Sequence, residues 1–352
     1  MLYRPEIDGL RAVAVLSVLL YHAAGLVPGG FVGVDVFFVI SGYVITKTIA
    51  ADLAAGSFGL WSFYERRIRR IAPALGVTIL ATAAASAAIL LPIDLEAMGK
   101  SAIAAALMVS NMLFWGQAGY FDAAAQAKPL LHTWSLGIEE QFYLIFPLLV
   151  AGLWRFARRA VVPVLAVLAA ASFAASIWHL PVDPDDVFYL APYRFWELLI
   201  GALIALRPAR ALEGSAFAFL GLGLIAGAVL LYDDKTLFPG LAALAPTLGA
   251  ALAINGAREG MAAARLLAAR PLVLVGKISY SLYLVHWPLI VLVEYRQDAR
   301  LDATEAWLVI AVSLVLAWIS WHFVEQPFRA KAAHPPRAET SDRAKPVTRP
   351  QL

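Results

Sequence analysis

Residues 4–27 read RPEIDGLRAVAVLSVLLYHAAGLV. The stretch is apolar and long enough to cross a hydrocarbon core of about 30 Å, for which roughly 20 residues suffice. It nevertheless carries Arg11 and His22. At about 3.6 residues per turn their spacing is close to three turns, so both fall on one face, about 16 Å apart along the axis. Such side chains are costly in lipid, and that face is expected to look into protein or water. The stretch therefore predicts a spanning helix that forms one edge of an internal site. The plainer alternative is an arginine that snorkels to the headgroups and a histidine packed at an interface.

The rest of the composition agrees with a membrane setting. Of 352 residues, 61% are hydrophobic and only 15% charged, far from the balance of soluble domains. Arg11 and His22 interrupt the first helix and no clear small-residue cleavage site follows, so it is not read as a removable signal. The absence of cysteine excludes disulfides, thiolate catalysis and cysteine-ligated metals. The net charge of +3 gives no reason to expect a nucleic-acid partner. No fixed-period repeat is seen.

A second apolar run, residues 31–49, carries Asp35 near its start and Ser41-Gly42 in its middle. Residues 57–71, SFGLWSFYERRIRRI, set Leu60, Trp61, Tyr64, Ile68 and Ile71 on one stripe and Arg66, Arg67, Arg69 and Arg70 over the rest. This predicts an amphipathic helix lying in the interface on the positive side, by the positive-inside rule the cytoplasm. The N-terminus, two crossings earlier, is then cytoplasmic too. Residues 72–91 form the third crossing, ended by Pro92.

Residues 95–115 reach spanning length but hold Lys100, Ser101, Ser110 and Asn111. If they crossed, the basic clusters Arg155, Arg158 and Arg159 and Arg207 and Arg210 would fall outside. The charge pattern instead predicts a re-entrant or surface helix on the outer side, followed by an external loop with Gly119, Asp122 and Pro129. Further crossings are expected over residues 135–153, 161–178, 193–206, 217–232, 238–254, 272–294 and 306–325. The expected fold class is all-α: a polytopic transmembrane bundle of about ten spanning helices plus the interfacial helix and the outer re-entrant or surface helix. Residues 1–329 make one transmembrane domain. Residues 330–352 are expected to be a basic, disordered cytoplasmic tail.

The polar residues within the spans sort by depth. His22 lies near the outer end of its helix. Glu139 and Glu140, in HTWSLGIEEQFYLIFP (132–147), lie about one turn into a helix that starts outside, and Asp35 is at a similar level. A histidine beside a carboxylate is a common general base, the carboxylate fixing its tautomer. The alternative is a buried polar cluster that ties helices together. His22, Glu139 and Asp35 are thus the expected catalytic group, with Glu140 and Tyr143 of the same segment toward the substrate. Arg11 lies at the inner end, level with Arg67 and Arg70, which share a helix face. Three guanidinium groups there suit a phosphate-bearing ligand, although arginine-rich inner loops are also ordinary topology anchors. Arg194 and Glu197 read as a structural ion pair. GKISYSLYLVHWPLIVLVEY (276–295) carries Lys277, Ser279, Tyr280, Tyr283 and His286. His286 and Trp287 lie near the outer face, where they would line the cavity of His22; an interfacial aromatic belt is the alternative for the Tyr and Trp residues. His132, His179, His322 and His334 receive no role, and no HxxH or HExxH spacing suggests a metal.

Six motifs occur in order: YRPEIDGLRAVAVLSVLLYH (3–22), GGFVGVDVFFVISGYVIT (29–46), FYERRIRRIAPAL (63–75), HTWSLGIEEQFYLIFP, SYSLYLVHWPLIV (279–291) and WHFVEQPFR (321–329). Each alone is loose, but together the chain resembles the acyltransferase 3 family of integral membrane proteins, which includes O-antigen and peptidoglycan O-acetyltransferases. The resemblance implies a bundle of ten core helices that moves an acyl group, commonly acetyl, from cytoplasmic acyl-CoA to a sugar hydroxyl at the outer face of a bacterial plasma membrane. It implies no permanently bound cofactor, acyl-CoA as donor substrate and a glycan or glycolipid as acceptor. By position, His22 matches the family's first-helix histidine, Arg11 its partner arginine, Arg67 and Arg70 its Arg-x-x-Arg motif, and Glu139 the glutamate of its Trp-Ser-Leu-x-x-Glu segment. Many members ending in a motif like VEQPFR continue into an external hydrolase-like domain. Here about 23 residues follow Arg329, so final transfer falls to the membrane domain, to a separate periplasmic partner, or to a domain outside this sequence. The rival expectation is a transporter or flippase of a glycan or lipid-linked sugar, which suits internal polar residues equally and consumes no acyl-CoA.

Overall fold

The computed structural model describes residues 3–118 and 128–332. The loop positions Gly119 and Asp122, and the expected tail from residue 333 onward with His334, lie outside the described residues. Everything regular within them is helical. α1, Pro5–Ala24, opens on a proline pre-set for the first turn and closes at Gly25, whose φ of 61° needs no Cβ. α2 (Gly33–Ala54) and α3 (Leu60–Ile89) follow, then the short pair α4 (Pro92–Ala106) and α5 (Ser110–Trp115). α6 (Trp134–Phe156), α7 (Val161–His179), α8 (Pro184–Tyr189), α9 (Phe195–Leu206), α10 (Ser215–Leu231), α11 (Leu244–Gly256) and α12 (Ala262–Leu267) lead to α13 (Arg270–Gln297). α14 (Ala303–Ser320) starts on an Asp302–Glu305 capping box and runs through a π-helical turn, Trp321–Glu325, into α15 (Gln326–Ala332).

Seven helical segments are long and apolar enough to cross a membrane: those built on α1, α2, α3, α6, α7, α13 and α14. α9, α10 and α11 are shorter apolar helices and stand where the sequence predicts three further crossings. The chain is a polytopic helical membrane protein. α1, α2 and α13 form its centre: α2 buries 72% and α13 61% of their most apolar stretch, against 22% in α7 and α14. Outer helices turn apolar side chains outward. On α6, Leu144, Ile145 and Leu148 are exposed while Phe142, Tyr143 and Phe146 are buried, as a lipid-facing helix requires.

Two expectations are corrected. The interfacial helix over 57–71 and the crossing over 72–91 are one continuous 30-residue helix, α3. The change from arginine-rich to alanine-rich sequence is a change of surroundings along one axis. Pro73 lies inside that helix, where its missing N–H removes a single hydrogen bond. Residues 95–115 are not one outer helix but two short ones, parted at Met108 with φ 58°. The polar residues of α5 dock onto the start of α6 and the end of α8, while Ser101 and Lys100 bond within α4. Ser110 Oγ donates to Thr133 O (2.7 Å), Asn111 Nδ2 donates to Tyr189 O (3.0 Å), and Gln141 Nε2 donates to Asn111 Oδ1 (2.9 Å).

α2 and α9 meet through glycines. A Cβ on Gly42 would lie 1.8 Å from Leu198 O, and one on Gly201 2.0 Å from Val39 O, so the two backbones touch as small-residue interfaces in membranes allow. Gly42→Ala is expected to destabilise the bundle by ~1–3 kcal/mol, the usual cost of overpacking. Gly76→Ala, with nothing within 4 Å of its Cβ position, should leave the thermal midpoint in detergent unchanged. Equal midpoints for the two variants would contradict this packing.

Candidate functional site

The N-terminal half of α1 borders a cavity of about 1120 Å³ shared with α2, α3, α6 and α13. Its wall carries more cations than acids: Arg11, Lys47, Arg67, Arg70, Arg265 and Arg329 line it, as do Glu6, Asp8, Glu139, Glu140 and Glu259. Arg4 and Arg258 line it too but are engaged elsewhere. Arg4 donates to Glu6, to Tyr43 Oη and to the carbonyls of Ile254 and Ala257, and Arg258 pairs with Glu213. Arg11 has only a loose pairing with Asp8 at 3.9 Å. Among the described residues neither Arg67 nor Arg70 has a carboxylate within ion-pair distance. Arg67 lies over the Tyr143 ring at 5.3 Å. The expected grouping of Arg11, Arg67 and Arg70 is therefore what the fold assembles. Arg329 joins them from the far end of the chain, just past the π-helical turn; no spacing in the sequence connects it to Arg11.

Two of the cavity's acids come from α6. Glu139 accepts hydrogen bonds from Ser41 Oγ (3.0 Å) and Tyr143 Oη (3.1 Å) and lies within electrostatic reach of Arg11 and Arg67. Glu140 faces Arg67 and Arg70 in the same way. Glu139, Glu140 and Tyr143 thus belong with the arginines. The expectation that Glu139 or Asp35 orients His22 does not hold. Glu139 is five residues inside α6, about 7.5 Å along the axis, which carries it away from the end where His22 stands. Asp35 is fully buried on Arg194: Nη2 to Oδ1 is 3.0 Å, and Arg194 Nε reaches Glu197 Oε1 at 3.3 Å. The expected Arg194–Glu197 pair is a triad with Asp35 as its third member.

His22 stands instead among aromatic rings at the other end of α1. Its Nδ1 is 3.1 Å from His286 Nε2, the two rings lie within 16° of parallel with their centres 5.4 Å apart, and the edge of Trp287 meets it at 4.7 Å. Trp287 is anchored by Nε1 to Lys128 O. His286 and Trp287 are thus beside His22 as expected, while the basic cavity is lined by neither. Tyr283 links the two regions. It lines the cavity, takes a hydrogen bond from Ser135 Oγ (2.7 Å), donates to His132 O (2.8 Å), and its ring lies 5.5 Å from His286. His132, given no role from sequence, is buried 5.4 Å from the Tyr283 ring. At the end of α7, His179 bonds Asp186 at 2.7 Å and holds that carboxyl, which lies outside the spans, below its ordinary value, pinning α8 to α7.

The arrangement can bind a polyanion at one end of α1 and move a proton at the other. The family model described as an acyltransferase domain matches residues 4–322. The chain is 33% identical over 352 residues to the O-acetyltransferase OatA of Staphylococcus aureus, covering 94% of this chain and 58% of that protein. It is 31% identical over 350 residues to the peptidoglycan O-acetyltransferase OatA of Listeria monocytogenes, covering 93% and 56%. The chain therefore spans a little over half the length of these curated relatives. No solved structure matches it.

Proposed function

Because the chain belongs to the acyltransferase 3 family, we propose that it is a membrane-bound O-acyltransferase. It moves an acyl group, acetyl in the first instance, from acyl-CoA to a hydroxyl of a cell-envelope glycan or glycolipid. The observation that carries this reading is the basic cavity at one end of α1, set against paired histidines at the other, with Tyr283 between them. Arg11, Arg67 and Arg70 engage the phosphates of CoA, for which forked guanidinium donors are suited. The pantetheine arm extends past Glu139 and Tyr143 and brings the thioester past Tyr283, whose ring lies 5.5 Å from His286, toward His22. His22 removes the acceptor's proton, the hydroxyl oxygen attacks the thioester carbonyl, and the C–S bond breaks. The proton passes to the departing sulfur, so CoA leaves as a thiol. The arginine end faces the cytoplasm and the histidine end the outer face of a bacterial plasma membrane. The names of the relatives support acetyl as the group and peptidoglycan as the first acceptor to try.

The test is binding of labelled acetyl-CoA to the purified chain in nanodiscs. A hydrogen bond to a charged partner contributes about 1.5–3 kcal/mol. Arg67→Ala and Arg70→Ala should each weaken binding roughly 10- to 100-fold, with the fold intact. If the wild-type chain bound neither acetyl-CoA nor a longer acyl-CoA, the reading would fall and a transport function without acyl transfer would replace it.

A further inference from the structure

The hydrogen bonds around His286 fix where the protons lie on both histidines. His286 Nδ1 is 3.1 Å from Leu282 O and 2.8 Å from Tyr283 O. Carbonyl oxygens only accept, so this nitrogen carries a hydrogen. In neutral His286 the other nitrogen, Nε2, then has a lone pair and can only accept. It faces His22 Nδ1 at 3.1 Å. Two nitrogens in contact need one hydrogen between them, and here it must come from His22. His22 is therefore the Nδ1–H tautomer, and its Nε2 is left with the lone pair.

We infer that His286 is a positioning residue that locks His22 in the Nδ1–H tautomer, so that Nε2 is the atom of His22 that receives the acceptor's proton. The last clause rests on the acyltransferase reading; the tautomer does not. A carboxylate commonly fills this orienting place, but Asp35 is held by Arg194, and Glu139 by Ser41 and Tyr143. A neutral imidazole substitutes for it. His132 stands 5.9 Å from the His286 ring and gives neither histidine a hydrogen bond. Trp287, edge-on to His22 and tethered to Lys128 O, limits rotation of the His22 ring.

The proton then has a defined course. As the acceptor O–H bond breaks, its hydrogen joins His22 Nε2 while the oxygen forms its bond to the acyl carbon and the C–S electron pair leaves with sulfur. The His22 imidazolium keeps its Nδ1–H on His286 Nε2, which stabilises the charge. Its Nε2 proton then passes to the thiolate, returning His22 to its starting tautomer.

The experiment is ¹⁵N solid-state NMR of histidine-labelled full chain in nanodiscs, with His22→Gln to assign the His22 signals. In the wild type, Nδ1 of His22 should be protonated and Nε2 bare. In His286→Ala the ring should revert to the Nε2–H form that an unconstrained neutral histidine side chain favours. In His286→Gln, whose Oε1 can accept in place of the imidazole nitrogen, the Nδ1–H form should persist. Acetyl-CoA turnover should fall at least about tenfold in the alanine variant, in the range of general-base effects, with unchanged acetyl-CoA affinity, and recover in the glutamine variant. A wild-type His22 protonated at Nε2 overturns the inference. So does a glutamine variant that keeps the tautomer yet is as inactive as the alanine one. The predicted tautomer in a chain with no acetyl-CoA turnover sinks the acyltransferase reading alone.

Discussion

His22→Ala should lower acyl transfer by about 10²–10⁴-fold, the usual worth of a positioned general base, and leave acyl-CoA affinity near wild type. The separation follows from geometry. The basic cavity is lined by Arg11, Arg67 and Arg70 and does not include His22. Alanine is the best helix former, and the replaced ring gives up one hydrogen bond to His286 and edge contacts with Trp287, so α1 should persist. The reading is made by labelled acetyl-CoA binding and single-turnover release of the label on the same preparation. A variant that bound and turned over like wild type would remove His22 from the chemistry. Loss of binding along with turnover would instead mean that the rings at that end shape the cavity. Glu139→Gln should behave in the opposite way, shifting acyl-CoA affinity more than turnover of the bound donor, because it removes a negative charge beside Arg11 and Arg67. Its carboxylate lies on Ser41 and Tyr143 near the arginines and makes no hydrogen bond to His22 among the described residues.

The contrast between these two residues shows how far the sequence could be read. Hydropathy locates the seven segments long enough to cross, because a run of apolar residues of fixed length has few alternatives near a bilayer, but it divides α3 in two. The spacing of Arg11 and His22 gives a shared helix face, and the structure uses both ends of that face. Depth along a helix can be counted residue by residue, so Arg11, Arg67 and Arg70 could be grouped from sequence. What counting cannot supply is the partner across the gap. Asp35, Glu139 and His22 have similar depths by count. Yet Asp35 turns to Arg194 on α9, Glu139 lies deeper beside Ser41 on α2, and His22 meets His286 on α13. Those pairings depend on which helices are neighbours and how each is rotated, and these are set by contacts such as Gly42 against Leu198. Arg329 and His132 were out of reach for the same reason: each joins the site through a helix distant in sequence from the residues it meets.

The largest effect on stability is expected at Arg194. Its guanidinium holds Asp35 at 3.0 Å and Glu197 at 3.3 Å, and all three side chains are buried. Phe38, Phe238 and Trp134 enclose it, with its Cζ 5.5, 5.5 and 6.0 Å from their ring centres, so no other cation or water can take its place without repacking. Removing one partner of a buried ion pair typically costs 3–5 kcal/mol, roughly a third or more of a domain's stability, because the remaining charge is stranded. Arg194→Met strands two carboxylates and should reach at least that range. Two carboxylates share one guanidinium, so the triad holds one acid more than Arg194 pairs by charge. Glu197→Gln removes only the surplus acid and should cost far less than Arg194→Met. The triple variant Asp35→Asn, Arg194→Met, Glu197→Gln should recover most of the loss, since apolar or neutral replacements of a whole buried ionic group are often tolerated. Thermal unfolding in nanodiscs, read by intrinsic fluorescence, orders these variants. Turnover per folded molecule should survive in Asp35→Asn if Asp35 ties α2 to α9 and takes no part in proton transfer. A melting point for Arg194→Met equal to wild type would show that the triad does not hold these helices together. A stable Asp35→Asn protein without turnover would return Asp35 to the catalytic group.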